Sequence, residues 1–133
     1  MFVFVNATVI DGTGAAPRKR QRVLVDGARI VAVGSRIAIP EEADIIDLGG
    51  KVLMPGLWES HSHFGGVPNG GLVGSEQSGN FLDMRNLCLA YGITAVRSFG
   101  DHQTDTIAVR DQINRGEVRG PRCFCSGRTF VRV

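Results

Sequence analysis

The sequence predicts an α/β chain in two parts, with short antiparallel strands over residues 1–56 and parallel βαβ units over residues 57–133. Three observations lead there. Residues before Pro55-Gly56 form β-branched and aromatic runs cut by paired turn residues. After that break, apolar residues at 81, 82, 84, 87, 88 and 89 take helical spacing between two short apolar runs. Each of the two helical stretches then ends on a glycine, Gly92 and Gly116.

In the first part, residues 2–10 read as a strand closed by Asp11-Gly12-Thr13-Gly14, and residues 15–20 as a polar loop. Residues 22–25 and 29–33 are two strands joined at Asp26-Gly27, a strong hairpin signal. Residues 34–42 are a loop. Residues 44–48 and 51–54 read as a second hairpin around Gly49-Gly50. Four or five short antiparallel strands at this spacing predict a small β-sandwich or open barrel. In the second part the order is strand 57–63, glycine-rich loop 65–74, helix 75–91, strand 93–99, helix 104–115 and strand 122–126.

Composition narrows the function classes. With 133 residues, 15 Lys and Arg, 13 Asp and Glu and a net charge of +2, the chain can bury a core and shows no polyanion-binding bias. The arginines at 110, 115, 119, 122, 128 and 132 alternate with Asp111 and Glu117, the pattern of a solvated face, so no nucleic-acid partner is expected. The apolar N-terminus lacks a basic n-region and a small-residue cleavage site, and no stretch is long enough to span a bilayer. A cytoplasmic chain with no membrane partner is expected, with Cys88, Cys123 and Cys125 reduced.

The chemistry concentrates at His61 and His63. Side chains two apart on a strand share a face, and two neutral imidazoles at a strand end make a metal-binding edge. Glu59 falls two residues earlier, which suits a carboxylate supporting the ligands better than a third ligand. Gly65 and Gly66 open the loop beyond the histidines, and Arg97, Ser98, Asp101 and His102 close the next strand. Of these, Gly65, Gly66, Asp101 and His102 are the candidate substrate contacts, although a plain connection and helix capping account for them as well. The loop is no phosphate cradle, since no Gly-Lys-[Ser/Thr] follows. Cys123 and Cys125 flank Phe124 in an apolar run and, with Cys88, read as core; Trp58 is expected to pack behind its strand.

Four stretches resemble the metal-dependent amidohydrolase superfamily: Asn6-Ala7-Thr8-Val9-Ile10-Asp11-Gly12, Lys51 through Leu57, Glu59-Ser60-His61-Ser62-His63 and Gly92-Ile93-Thr94-Ala95-Val96-Arg97. The run P-G-[LF]-x-[DE]-x-H-x-H after a hairpin segment is its most specific element. With Gly120-Pro121-Arg122, the chain is most similar to the imidazolonepropionase-like and Xaa-Pro dipeptidase-like branch. The resemblance implies the N-terminal part of a TIM-like (β/α)₈ barrel, residues 57–133 supplying its first two to three βα units. Strands of a small β-sandwich, residues 1–56, would precede it. It implies hydrolysis of a carbon–nitrogen bond in an amide, cyclic amide or dipeptide, and a small-molecule amide or peptide substrate. It also implies a divalent metal, zinc first although imidazole accepts others, held by His61 and His63, and a homo-oligomer at full length. The family's lysine or glutamate, two further histidines and late aspartate lie on strands beyond those present, so no catalytic residue is expected within these 133.

Length leads the same way. A (β/α)₈ barrel takes about 200–250 residues. Residues 57–133 suffice for about two and a half βα units at roughly 30 residues each. A truncated product is the expectation, unstable or aggregated alone because strand edges and faces stay uncovered. Two other readings remain open: a non-catalytic remnant or subunit fragment with weak metal binding, and a stand-alone small β domain with a binding role.

Overall fold

The computed structural model describes residues 1–63, 79–100 and 105–127, with side chains of residues 79–83 and 105 left aside. It divides into two compact units, Met1–Pro55 and Gly56–Val133. The first contains β1 (Phe2–Val9), β2 (Arg18–Asp26), β3 (Arg29–Gly34), β4 (Asp44–Asp47) and β5 (Val52–Leu53). The second contains β6 (Leu57–Ser62), α1 (Gly79–Ala90), β7 (Ile93–Ser98), α2 (Asp105–Asn114) and β8 (Arg122–Cys125).

The first unit is one sheet of order β3-β2-β1-β4, with β5 also on β1. The hairpin β2–β3 turns through Gly27 and Ala28. Gly27 has a φ of 55°, the positive value that a two-residue hairpin turn requires at its first position. The predicted second hairpin is not formed. Strands β4 and β5 both run parallel to β1, Phe2 opposite Asp44 and Thr8 opposite Val52. Gly49 and Gly50 therefore step along one edge of β1 instead of reversing the chain. The physical reason is length: β1 offers eight residues of ladder, and segments of four and two residues share its free edge.

A second difference concerns residues 15–20, expected as loop, of which Arg18, Lys19 and Arg20 belong to β2. They are exposed on a strand whose backbone is satisfied by β1, so their charge costs nothing. Two irregularities offset one another in this pairing, one extra residue on β1 between Phe4 and Ala7, one on β2 between Gln21 and Arg18. Asn6 (φ 55°) and Arg20 (φ 54°) lie within them and are the positive-φ residues other than glycine among those described. Asn6 is held there by bonds from its amide to both Asp47 carboxylate oxygens, 2.9 Å each, while Asp47 also accepts from the Gly49 N–H at 2.8 Å. The Gly49 bond, then Asn6, draws the Asp47 carboxyl below its ordinary 3.8. Ala7, Val9 and Val23 form the buried core, with Phe4, Val25, Leu48 and Leu53 against it.

The second unit is a parallel sheet, β6-β7-β8, with crossovers through α1 and α2. Cys88, Val96 and Cys123 are buried between strands and helices, and Met84, Ile93, Val109, Ile113 and Cys125 pack on them. The cysteines are free and core-forming, as free thiols in apolar strands tend to be. Gly92, at φ 75°, ends α1: its N–H bonds the Leu89 carbonyl at 3.1 Å and its own carbonyl accepts from Leu57 at 2.8 Å, which starts the next ladder. Only part of the predicted apolar helix face is covered, since Leu87 and Leu89 remain exposed. Trp58 does not pack behind its strand. It stacks on Phe124, ring centres 5.3 Å apart, and both rings stay exposed on the sheet face away from the core. Among the described residues no helix is long and apolar enough to cross a membrane.

Where β6 meets β7, Gly56 faces Thr94 so closely that a Cβ at residue 56 would overlap the Thr94 hydroxyl and methyl and lie 2.6 Å from its Cβ. Gly56→Ala is expected to lower stability by about 1–3 kcal/mol, the cost of overpacking. Urea unfolding with a midpoint equal to that of the parent chain would contradict the close approach.

Candidate metal centre

Parallel strands present their carboxyl ends on one edge, where α/β sheets bind ligands. Backbone bonds between strand ends build that edge here. Phe99 N–H donates to the Ser62 carbonyl at 2.9 Å, Ser126 N–H to the Ser98 carbonyl at 3.1 Å, and Gly100 N–H to Ser126 Oγ at 3.1 Å.

His61 and His63 stand at the carboxyl end of β6, both exposed. Their ring centres are 5.6 Å apart and the planes cross at 73°. The His61 ring also lies 5.0 Å from that of Phe99. Phe99 in turn lies under Arg97, whose guanidinium carbon is 4.5 Å from the ring centre. Arg97 and Phe99 are two apart at the end of β7, the same spacing as the histidines on β6. Arg97 was visible in the sequence as a strand-end residue; Phe99 was not, because a single phenylalanine at a strand end reads as core.

Glu59 has a different task from that of a ligand. Its carboxylate accepts the His61 backbone N–H at 3.0 Å. One extra residue enters β6 between Glu59, opposite Val96, and Ser62, opposite Ser98, so strict alternation fails there. Glu59 lines a cleft of about 270 Å³ with Ser62, Met84, Leu87 and Cys88, and His61 borders it as well. His61 thus has its backbone tied to Glu59 and its ring against Phe99. Ser62 Oγ is buried without a hydrogen-bond partner among the described residues. Burial first, then the Glu59 charge, pushes the Cys88 thiol above its ordinary 9.0.

The other sequence candidates, Gly65, Gly66, Asp101 and His102, lie outside the described residues. Among the described residues no group of three or more His, Cys, Asp or Glu converges on one point. In the described part of the arginine-rich C-terminal stretch, Arg110 pairs with Asp111 at 2.8 Å and Arg115 with Glu117 at 2.6 Å, while Arg128 and Arg132 lie outside the described residues.

No protein-family model matches the chain. Dihydroorotase from Mycobacterium tuberculosis is 47% identical over 45 residues, 34% of this chain and 10% of that protein. N-acyl-D-glutamate deacylase from Alcaligenes xylosoxydans xylosoxydans is 42% identical over 55 residues, 41% of this chain and 11% of that protein. Among solved structures, a Xaa-Pro dipeptidase with bound methionine in its active site superposes with a TM-score of 0.80 at 27% identity. That match covers 97% of this chain and 34% of the dipeptidase. An amidohydrolase matches with a TM-score of 0.74 at 26% identity, over 96% of this chain and 32% of its own. These likenesses support an N-terminal part of an amidohydrolase-superfamily protein. The chain corresponds to the N-terminal part of those amidohydrolases, spanning about a third of the solved structures and about a tenth of the curated relatives. Members of this superfamily are metal-dependent hydrolases.

The Glu59 arrangement makes a chemical prediction. Cys88 should react slowly with iodoacetamide up to about pH 9 because its thiol resists ionisation. Glu59→Gln removes the opposing negative charge, so Cys88 should ionise at lower pH and alkylate faster. A rate profile unchanged by the substitution would place Glu59 away from the helix side.

Proposed function

We propose that these residues belong to a metal-dependent hydrolase of carbon–nitrogen bonds in a small amide, cyclic amide or peptide, in which His61 and His63 hold a divalent ion, zinc first among the candidates. In this reading residues 57–133 form the first βα units of a (β/α)₈ barrel, and residues 1–56 contribute strands to a small β-sandwich beside it.

The observation that carries the reading is the adjacency of two imidazoles at the carboxyl end of a parallel strand. Their donor set fits the ion. Zinc–nitrogen bonds of about 2.0–2.1 Å put a ligating ring's centre about 3.2 Å from the metal, so two rings at a tetrahedral angle lie about 5.2 Å apart. The separation between the His61 and His63 rings is 5.6 Å. A bound ion would supply Lewis acidity for water and for the scissile carbonyl. Two protein ligands hold such an ion weakly, and hydrolysis calls for about three with an open position. The remaining ligands are assigned to later strands of the barrel.

The chain's own groups prepare the two imidazoles. Glu59 fixes the backbone at His61, the Phe99 ring limits His61 to one side, and the Phe99–Ser62 hydrogen bond holds the strand end in register. Such supporting contacts orient ligands before the ion arrives, and losing one commonly costs 10–100-fold in affinity.

The test is metal content, read by mass spectrometry after equilibrium dialysis against zinc. His61→Ala and His63→Ala should each weaken uptake by at least about tenfold, since losing a ligand costs no less than losing its support. Equal zinc content in the parent and both variants would refute the assignment.

A further inference from the structure

We propose that a cleft beside β1 and β2 in the first unit binds a small phosphate-bearing anion of the diphosphate class through Lys19 and Arg20. The proposal is independent of the metal centre. Every residue it uses lies in Met1–Pro55, all of which is described.

Three observations carry it. The first is where the two cations stand. Successive residues of a strand ordinarily point to opposite faces. Lys19 and Arg20 nevertheless line one cleft of about 420 Å³, with Asn6, Thr8, Gly49 and Gly50. The irregularity in β2 accounts for this: between the pairs Ala7–Gln21 and Val9–Arg18, Thr8 alone faces both Lys19 and Arg20. Two positive charges brought to one concavity repel each other and raise the local concentration of anions.

The second is the backbone at Arg20. Its φ of 54° lies in the left-handed region, which glycine takes freely and arginine takes at a cost. Glycine would serve the bulge alone better; arginine adds a guanidinium at the cleft. Residues held in such conformations cluster where ligands bind.

The third is that both side chains are open to a ligand. Arg18 pairs with Asp11 and Arg22 donates to the Ile37 carbonyl, whereas Lys19 and Arg20 side chains make no hydrogen bond or ion pair among the described residues. The Asp47 carboxylate is engaged by the Asn6 amide and the Gly49 N–H, and it is not one of the cleft's walls.

Shape and charge choose the anion. A Cβ at residue 49 or 50 would meet no atom within 4 Å, so the glycine side of the cleft is open. The arginine fork takes two oxygens of one phosphoryl group, and lysine takes an oxygen of the next as a point charge. A diphosphate offers two charged groups over that short span. A nucleic-acid strand calls instead for cations in a row along a groove, and here the flanking Arg18 and Arg22 are engaged elsewhere.

The experiment titrates sodium pyrophosphate into the zinc-free protein by calorimetry, with ¹⁵N amide shifts to locate the site. Pyrophosphate should bind at least about tenfold more tightly than inorganic phosphate, about 1.4 kcal/mol, and shift the Gly49 and Gly50 amides. Affinity should fall as ionic strength rises from about 0.01 to 0.1 M, where the screening length falls from about 30 to 10 Å. Arg20→Gly removes the guanidinium at a backbone angle that glycine adopts freely, so this variant keeps the fold. It and Lys19→Met should each weaken binding about tenfold or more. Equal affinity for pyrophosphate and phosphate, affinity unchanged in both variants, or shifts confined to residues beyond Pro55 overturns the proposal. Tighter binding of a short oligothymidylate than of pyrophosphate overturns it too, in favour of nucleic acid. The parent chain's preference and its salt dependence decide the matter even if Lys19→Met does not fold.

Discussion

The parallel pairing of β6 with β7 is the constraint on which the rest of this site depends. It begins at Leu57, whose N–H meets the Gly92 carbonyl, and ends where Phe99 reaches back to Ser62. Between these bonds the ladder admits one extra residue on β6. That residue lets Glu59 stay beside the core at Val96 while the His61 ring meets Phe99. Because β6, β7 and β8 run the same way, their carboxyl ends bring His61, His63, Arg97 and Ser126 to one edge, although they come from three separate stretches of sequence. An antiparallel arrangement would send Arg97 to the opposite end of the sheet.

Much of this was legible in the residues. The change of period after Pro55-Gly56, the glycine stops at Gly92 and Gly116 and the turn at Asp26-Gly27 are local signals, and local signals survive folding well. The order strand, helix, strand, helix, strand follows from them. What failed was non-local. Nothing near Gly49 and Gly50 distinguishes a hairpin from a step along an edge, since both need positive φ; the choice was made by the free edge of β1, some forty residues away. Arg18 to Arg20 looked like loop because charge is rare in buried strands, yet here the strand is exposed on that face. The bulge beside Glu59 has no sequence signature, so the two-residue spacing did not reveal that Glu59 meets the His61 backbone N–H while its side chain lines the cleft beside Cys88. At the candidate site, the two histidines stood out in the sequence through their spacing together with the resemblance of the residues around them, whereas the role of Phe99 required knowing which ring it touches.

The uncovered apolar surface has a consistent distribution. Trp58 and Phe124, 59% and 45% exposed, stack on the sheet face opposite the helices, above the small buried Ala95 that leaves them room. Single exposed apolar residues are ordinary, but two stacked rings beside a candidate site are a preformed wall. The Arg97–Phe99–His61 row continues that wall toward the histidines. Rings stiffen this edge at little cost in rotamer freedom, and fixed geometry is what a two-ligand chelate needs before the ion arrives.

The central claim is that His61 and His63 act as one chelating pair. The most direct measurement is the ring-nitrogen NMR spectrum of the three histidines, ¹⁵N-labelled, during a zinc titration of the protein. The account predicts that both His61 and His63 shift together and saturate at one equivalent. Signals of His61 and His63 that stay in place, or that move independently at different zinc concentrations, would contradict it.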